Sequence, residues 1–503
     1  MVAWSKGAVI YQVCPRSFRD GDGDGIGDLK GIVEGLPYIA ELEVEALWLT
    51  PFFPSPMADF GYDVADFTGV DPLFGCLEDF DRLVERAHRL GLKVVIDQVW
   101  GHSSDRHPWF LASRASRDNV KADWYVWADP RPDGGPPNNW LSVFGGGAWS
   151  WEPRRRQYYL HHFLTCQPAL NWRNPEVEAA LLAAGDVWVE RGVDGFRLDA
   201  VDFLLHDAAL RDNPPRPQAM TPLRPFGTQE HRFDLAQPEL PALFERLRAH
   251  FPATMMVAEL SSEPDPLARA ARFTAPGRLS QAYTLGLMKR PFTAEGIRAW
   301  IAEAEAKLPE GGLCWAFSNH DVPRAVSRWG DGSAASARLL LGLLLSLRGG
   351  ICLYQGEELG LTEAELTEDQ LRDPYGLAFY PDFKGRDGCR TPLPWQAEAV
   401  SAGFSTNPTP WLPIPAAHRP LAVDRQQGDP GSVLSFARQM LQLRRNRSAL
   451  REGSLRLLDC GPDVVGFERL AGDDRLVCLF NPSAKVVEGF GRTLEPWGMA
   501  RIG

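Results

Sequence analysis

Hydrophobic residues fall along this chain in two alternating patterns. Short, nearly continuous apolar runs at residues 8–13, 46–50, 92–99, 195–200, 255–259, 314–318 and 351–354 read as strands buried on both faces. A weaker run at 280–285 brings the number to eight. Between the runs, apolar residues recur at helical spacing. Over 77–90, Phe80, Leu83, Val84 and Ala87 share one face, and 177–191 repeats the pattern. Strands alternating with amphipathic helices predict a parallel sheet. Eight of them predict an α/β fold closed into a (β/α)8 TIM barrel.

Two stretches break the alternation. After the third strand, the segment 102–170 is rich in Trp, Pro and Gly and is too long for a βα-loop, so it is expected to be an inserted subdomain. After the eighth strand, 357–430 is again irregular and dense in proline around 407–415. Both insertions lie at strand C-termini, the face on which such barrels build active sites. The last barrel helix is expected at 433–450, with Phe436, Met440 and Leu443 on one stripe. The barrel therefore spans 1–101 and 171–452. Beyond it, short strands at 455–458, 464–470 and 476–480 predict a small antiparallel C-terminal β domain at 453–503.

Composition narrows the partners. Of the 503 residues 44% are hydrophobic and 23% charged, the profile of a globular protein. A formal net charge of -12 argues against nucleic acid and anionic membranes, both of which need a basic face. The apolar run 339–347 stops at Arg348, far short of a membrane span, and residues 1–7 lack a secretory pattern. The eight cysteines show no metal-ligand spacing, and Cys314, Cys352 and Cys478 sit inside apolar runs as buried thiols. A cytoplasmic enzyme, monomer or homodimer, acting on a neutral small molecule is the expectation.

The chemistry is carried by acids at strand ends. Asp97 closes the third strand in Val94-Val95-Ile96-Asp97, Asp199 the fourth in Gly195-Phe196-Arg197-Leu198-Asp199, and Glu259 the fifth in Met256-Val257-Ala258-Glu259. Asp321 follows the seventh in Ser318-Asn319-His320-Asp321. A single strand-end acid is as readily a capping or salt-bridged group. Several on one barrel face form a convergent acidic pocket, although Asp97 also suits a structural role. Arg197, two residues before Asp199, points to the same side. Its charge is expected to keep Asp199 ionised while burial raises Glu259, separating the two acidities.

These four stretches resemble, in order, the conserved regions of glycoside hydrolase family 13, the α-amylase family. The first strand, Val9-Ile10-Tyr11-Gln12-Val13-Cys14-Pro15-Arg16-Ser17-Phe18, is similar to that family's opening motif. Gln167-Pro168-Ala169-Leu170-Asn171 and Gly385-Arg386-Asp387-Gly388-Cys389-Arg390-Thr391-Pro392 resemble motifs of its α-glucosidase and oligo-1,6-glucosidase branch. The resemblance implies Asp199 as nucleophile, Glu259 as general acid/base and Asp321 as transition-state stabiliser of a retaining mechanism. It implies sugar contacts from Asp59, Tyr62, His102, Arg197 and His320. It implies that Arg390 pairs with Asp59 to close the pocket beyond the non-reducing end. Phe144 and Phe163 resemble aromatic walls of that pocket, and a plain core role suits them equally. Three positions depart from the pattern: Gly101, Ala169 and Val322.

In Asp20-Gly21-Asp22-Gly23-Asp24-Gly25-Ile26-Gly27-Asp28, acids alternate with glycines, a spacing that suits a hard cation. The resemblance implies a structural Ca2+ or Mg2+ held by Asp20, Asp22, Asp24, the Ile26 carbonyl and Asp28, and no catalytic cofactor. The expected activity is release of α-glucose from the non-reducing end of short α-1,4-glucosides such as maltose. Ala200 after the nucleophile points to α-1,4 because valine there accompanies α-1,6 cleavage in this branch. Transglucosylation to sugar or alcohol acceptors and oligo-1,6-glucosidase activity are the alternatives. A non-catalytic barrel is disfavoured by the retained acids.

Overall fold

The computed structural model describes residues 2–217, 225–261 and 265–503. The first three strands, β1 (Val9–Val13), β2 (Ala46–Leu49) and β3 (Lys93–Gln98), pair in parallel and are almost wholly buried. Next come three short strands outside the barrel: β4 (Trp127–Ala128), β5 (Trp149–Glu152) and β6 (Gln157–Leu160). The barrel resumes with β7 (Gly195–Leu198), β8 (Met255–Leu260), β9 (Gln281–Thr284), β10 (Leu313–Ala316) and β11 (Gly350–Tyr354). The eight barrel strands close in the order β1-β11-β10-β9-β8-β7-β3-β2. All eight expected runs are strands, including the weak one at β9.

The helices form where capping and apolar spacing agree. One spans Leu77–Arg89 and buries Phe80, Leu83, Val84 and Ala87, with Cys76 and Asp79 forming its capping box. Another spans Pro175–Glu190, two residues earlier than the periodicity predicts. Asn174 caps it by accepting from the Glu176 amide, and Pro175 takes the first turn, where no amide donor is needed. The helix expected at 433–450 is two, Val433–Asn446 and Ser448–Glu452, broken at Arg447, whose backbone is extended (φ -108°, ψ 111°).

The segment 102–170 carries the antiparallel sheet β4-β6-β5. Its own apolar cluster includes Trp140, Trp149, Leu160 and Ala169. At the C-terminus, β12 (Ser454–Leu457), β13 (Val465–Ala471) and β14 (Asp474–Phe480) form the expected meander, joined by β17 (Met499–Ile502). The hairpin of β15 (Val487–Gly489) and β16 (Arg492–Leu494) went unpredicted. These strands are short and largely exposed, so they carry no period-two apolar signal.

Candidate active site

The barrel's C-terminal face opens into one pocket lined by Asp59, Tyr62, His102, Phe144, Phe163, Asp199, Glu259 and Asp321. Eight of the eleven residues expected in catalysis or sugar contact therefore share one cavity. The other three, Arg197, His320 and Arg390, lie directly behind it.

Arg197 is the hub. It projects from β7 to the same side as Asp199, because side chains two apart in a strand share a face. Its Nη1 donates to Asp97 at 2.7 Å and to Asp199 at 2.5 Å, while Nη2 donates to Glu259 and, at 2.9 Å, to the Tyr283 hydroxyl. The Arg197 side chain is wholly buried, whereas Asp199 is 10% and Glu259 18% exposed, so the two acids face the cavity and the cation does not. Asp97 is fully buried and also accepts from the Tyr62 hydroxyl at 3.0 Å, which fits the structural role left open for it. The chain leaves β7 through Ala200 in the left-handed region (φ 41°, ψ 47°). A non-glycine residue is held there only where surrounding contacts over-determine it, and the Ala200 amide faces Glu259 at 3.4 Å.

Tyr62 and His320 stack at 5.3 Å with an interplanar angle of 3°, and the Tyr62 hydroxyl lies 2.6 Å from His320 Nε2. Gln12 and Asp321 hold the same imidazole at 2.7 Å and 3.2 Å. His102 donates from Nε2 to the Tyr62 carbonyl at 3.0 Å. Burial pushes His102 down to about 4 and His320 to about 3, so both rings are neutral at physiological pH and can exchange hydrogen bonds with sugar hydroxyls.

The carboxylates are not separated as expected. Burial raises Asp199 to about 7 and Glu259 to about 7, each against the opposing charge of Arg197. One guanidinium shared between two desolvated acids does not keep only one of them ionised. The separation lies instead between this pair and Asp321. Burial pushes Asp321 up, but the Arg386 and Arg390 guanidiniums outweigh it and hold the carboxyl well below the usual range. The group therefore holds one firmly ionised carboxylate and a pair able to share a proton near neutrality.

The expected partner of Asp59 is corrected. Arg386, not Arg390, pairs with Asp59, at 2.6 Å, and also reaches Asp373 at 2.8 Å and Asp321 at 3.2 Å. The turn Asp387–Cys389 carries Arg390 away from Asp59, and its Nη2 meets Asp321 at 2.8 Å while Nε donates to the His320 carbonyl at 2.6 Å. Arg386 lines the cavity and lies 5.1 Å over the Phe144 ring. Both arginines sit in the same eight-residue motif, and spacing alone does not say which one the turn aims inward.

Other pocket residues went unnamed. Gln167 donates to Asp59 at 2.9 Å, a role hidden in the quoted Gln167-Pro168 motif. Phe203, Phe226, Leu260, Leu285 and Tyr375 complete the wall. No motif marks them: Leu260 ends β8, Phe203, Phe226 and Tyr375 sit in short helical turns, Leu285 follows β9, and only the fold brings them together.

In the acidic loop, Asp20, Asp22 and Asp28 each place a carboxylate oxygen within 4.8 Å of the others, a donor set that suits a hard cation. Asp24 stands outside that group, accepting from the Ile26 amide at 2.7 Å. Asp20 is tied to the irregular segment at 357–430 by the Ser405 hydroxyl at 2.5 Å.

Among known proteins, the family described as "Alpha amylase, catalytic domain" matches residues 12–453. A probable alpha-glucosidase of Rhizobium meliloti (strain 1021) is 52% identical over 494 residues, which is 95% of this chain and 89% of the relative. An oligo-1,6-glucosidase of Parageobacillus thermoglucosidasius is 33% identical over 519 residues, covering 96% of this chain and 91% of that one. The crystal structure of an alpha-glucosyl transfer enzyme, XgtA, superposes with a TM-score of 0.95 at 50% identity over 99% of both chains. All eight cysteines are free, and no helix among the described residues is long and apolar enough to cross a membrane.

Proposed function

The chain belongs to the alpha-amylase family of glycoside hydrolases, and from that premise we propose that it is a retaining, exo-acting α-glucosidase. The observation that carries this reading is that Asp199 and Glu259 bond the same guanidinium from adjacent strands. A shared cation keeps the two carboxyls close. That suits a covalent intermediate, for which they stand about 5–5.5 Å apart, rather than an inverting site that leaves room for a water between them. Asp199 attacks the anomeric carbon while Glu259 gives its proton to the departing oxygen. The glucosyl ester on Asp199 is then attacked by a hydroxyl whose proton passes to Glu259, and the bond to Asp199 breaks with its electron pair returning to the carboxylate. Asp321, ionised throughout, stabilises the positive charge that develops on the sugar. The Asp59–Arg386 pair bounds the cavity, so a single glucosyl unit enters from the non-reducing end.

Ala200 favours α-1,4-glucosides such as maltose, with oligo-1,6-glucosidase activity as the competing linkage. A second reading, glucosyl transfer, is favoured by the outer wall. Phe203, Phe226, Leu260 and Leu285 offer apolar surface beside the acids, a surface that suits an organic acceptor better than water. Asp20, Asp22 and Asp28 would hold a structural Ca2+ or Mg2+ with Asp24 and the Ile26 carbonyl beside them. Such an ion would neutralise the loop and anchor it. Eight free thiols fit a reducing, cytoplasmic setting.

Time-resolved product analysis on maltose, isomaltose and sucrose, with and without glycerol, tests the reading. Rapid glucose release from maltose is expected. A preference for isomaltose would overturn the linkage assignment, and glucosyl-glycerol outpacing free glucose would make the protein a transferase.

A further inference from the structure

Phe226 reaches the cavity wall from the long loop that follows β7, in a single turn at Pro225–Thr228. Such a turn has no helix or strand to fix it, yet one imidazole holds Phe226 twice. The His231 ring stacks on the Phe226 ring with centroids 3.7 Å apart and planes 19° from parallel, and His231 Nε2 meets the Phe226 carbonyl at 2.7 Å. On the other edge, His231 Nδ1 meets the buried Asp234 carboxylate at 2.8 Å. The two contacts clamp the ring from opposite edges. The loop is anchored to the inserted subdomain through Gln229, which donates to the Asn139 carbonyl at 2.7 Å. Phe203, whose ring lies 6.3 Å from that of Phe226, continues the wall toward Ala200 and the acids.

We propose that Phe226 is the platform for the group bound to the anomeric oxygen, leaving group or acceptor, and that His231 and Asp234 are its positioning residues. The assignment rests on the glucosidase or transfer reading above. The occupant's chemistry follows from the wall. A flat, apolar face stacks on an aromatic ring, so an aryl glucoside is preferred as donor and a phenolic hydroxyl as acceptor. The proton path is unchanged, since the acceptor hydroxyl still delivers its proton to Glu259.

Two donors separate this role from general loop stability. α-Glucosyl fluoride leaves almost nothing in the outer site, whereas p-nitrophenyl α-glucoside fills it with an aromatic ring. The quantity read is the ratio of kcat/KM for the aryl glucoside to that for the fluoride, in which loss of active enzyme cancels. Phe226→Ala and His231→Ala are each expected to lower this ratio about three- to tenfold, mainly through KM, the range of one aromatic contact. They are expected to lower transfer to hydroquinone, relative to hydrolysis, by a similar factor. The double variant should be no worse than Phe226→Ala, and His231→Gln, which keeps a donor, should recover part of the loss. Should His231→Ala fail to fold, Phe226→Ala and His231→Gln decide the matter. An unchanged ratio in the variants overturns the proposal. Wild-type protein that is inert on α-glucosyl fluoride overturns the glucosidase reading itself, a separate result.

Discussion

Buried arginines stand at both ends of this barrel, and the two ends stabilise them differently. Under the N-terminal rim, Arg444 donates to the carbonyls of Gly7, Leu345, Leu347 and Gly349, and Arg469 to those of Ser346, Leu450 and Gly453. Among the described residues no carboxylate pairs with either, and burial lowers them to about 10 and about 9. At the C-terminal rim, Arg197, Arg386 and Arg390 are equally buried. There burial again works against the cation, but Asp97 and Glu259 around Arg197, and Asp59 and Asp373 around Arg386, outweigh it and raise both. Neutral carbonyls fix a guanidinium without creating a partner that exchanges protons. Carboxylates do create one. Arg444 staples the helix Val433–Asn446 to the chain entering β1 and β11, and Arg469 staples the C-terminal sheet to Ser346, whereas the upper arginines set the charge of the acids that line the pocket.

The strongest way to break this contrast is Asp199→Asn. Initial rates on p-nitrophenyl α-glucoside should fall by on the order of 10^4-fold or more, since the covalent step is lost. Glu259→Gln should cost about 10^3-fold on maltose and far less on α-glucosyl fluoride, whose leaving group needs no proton. Equal losses on the two substrates would remove Glu259 from the acid role. Below, Arg444→Met should leave four buried carbonyls without a donor and cost about 3 kcal/mol in denaturant unfolding, with kcat per folded molecule unchanged. A fall in kcat would show that the two ends are coupled.

The pH profile sharpens the comparison next. Asp199 and Glu259 are both raised to about 7, so their protonated forms persist well above the usual carboxylate range. Activity needs one proton on the pair. It should therefore fall about tenfold per unit on the acid side as Asp199 is protonated, and likewise on the alkaline side as Glu259 loses its proton. A plateau from pH 5 to 9 would be incompatible with that arrangement. The smallest effect belongs to the acidic loop. Millimolar Ca2+ or Mg2+ should raise the melting temperature by roughly a degree or more, by mass action on the folded state, and Asp22→Asn should abolish that rise.

The acids themselves were legible because barrel geometry puts strand-end side chains on one face, and β3, β7, β8 and β10 are each marked by their apolar runs. The identity of the pocket-closing arginine was not. Arg386 and Arg390 are four residues apart, and the intervening turn, fixed by its tertiary contacts, decides which one faces Asp59. Nor was the shared acidity of Asp199 and Glu259, since pKa values depend on burial and on which acids converge on Arg197. Phe226 and His231 left no trace in the pattern either, because a loop has no period.

The sequence alone determined the eight strands of the barrel and the acids at their ends. These follow from local apolar spacing and from motifs carried on single strands. Only the tertiary structure decided how charge is shared among those carboxylates, which arginine closes the pocket and which aromatic rings face the outer site. Each of these depends on distances between segments from tens to hundreds of residues apart in the chain, and electrostatic and stacking energies are set by distance.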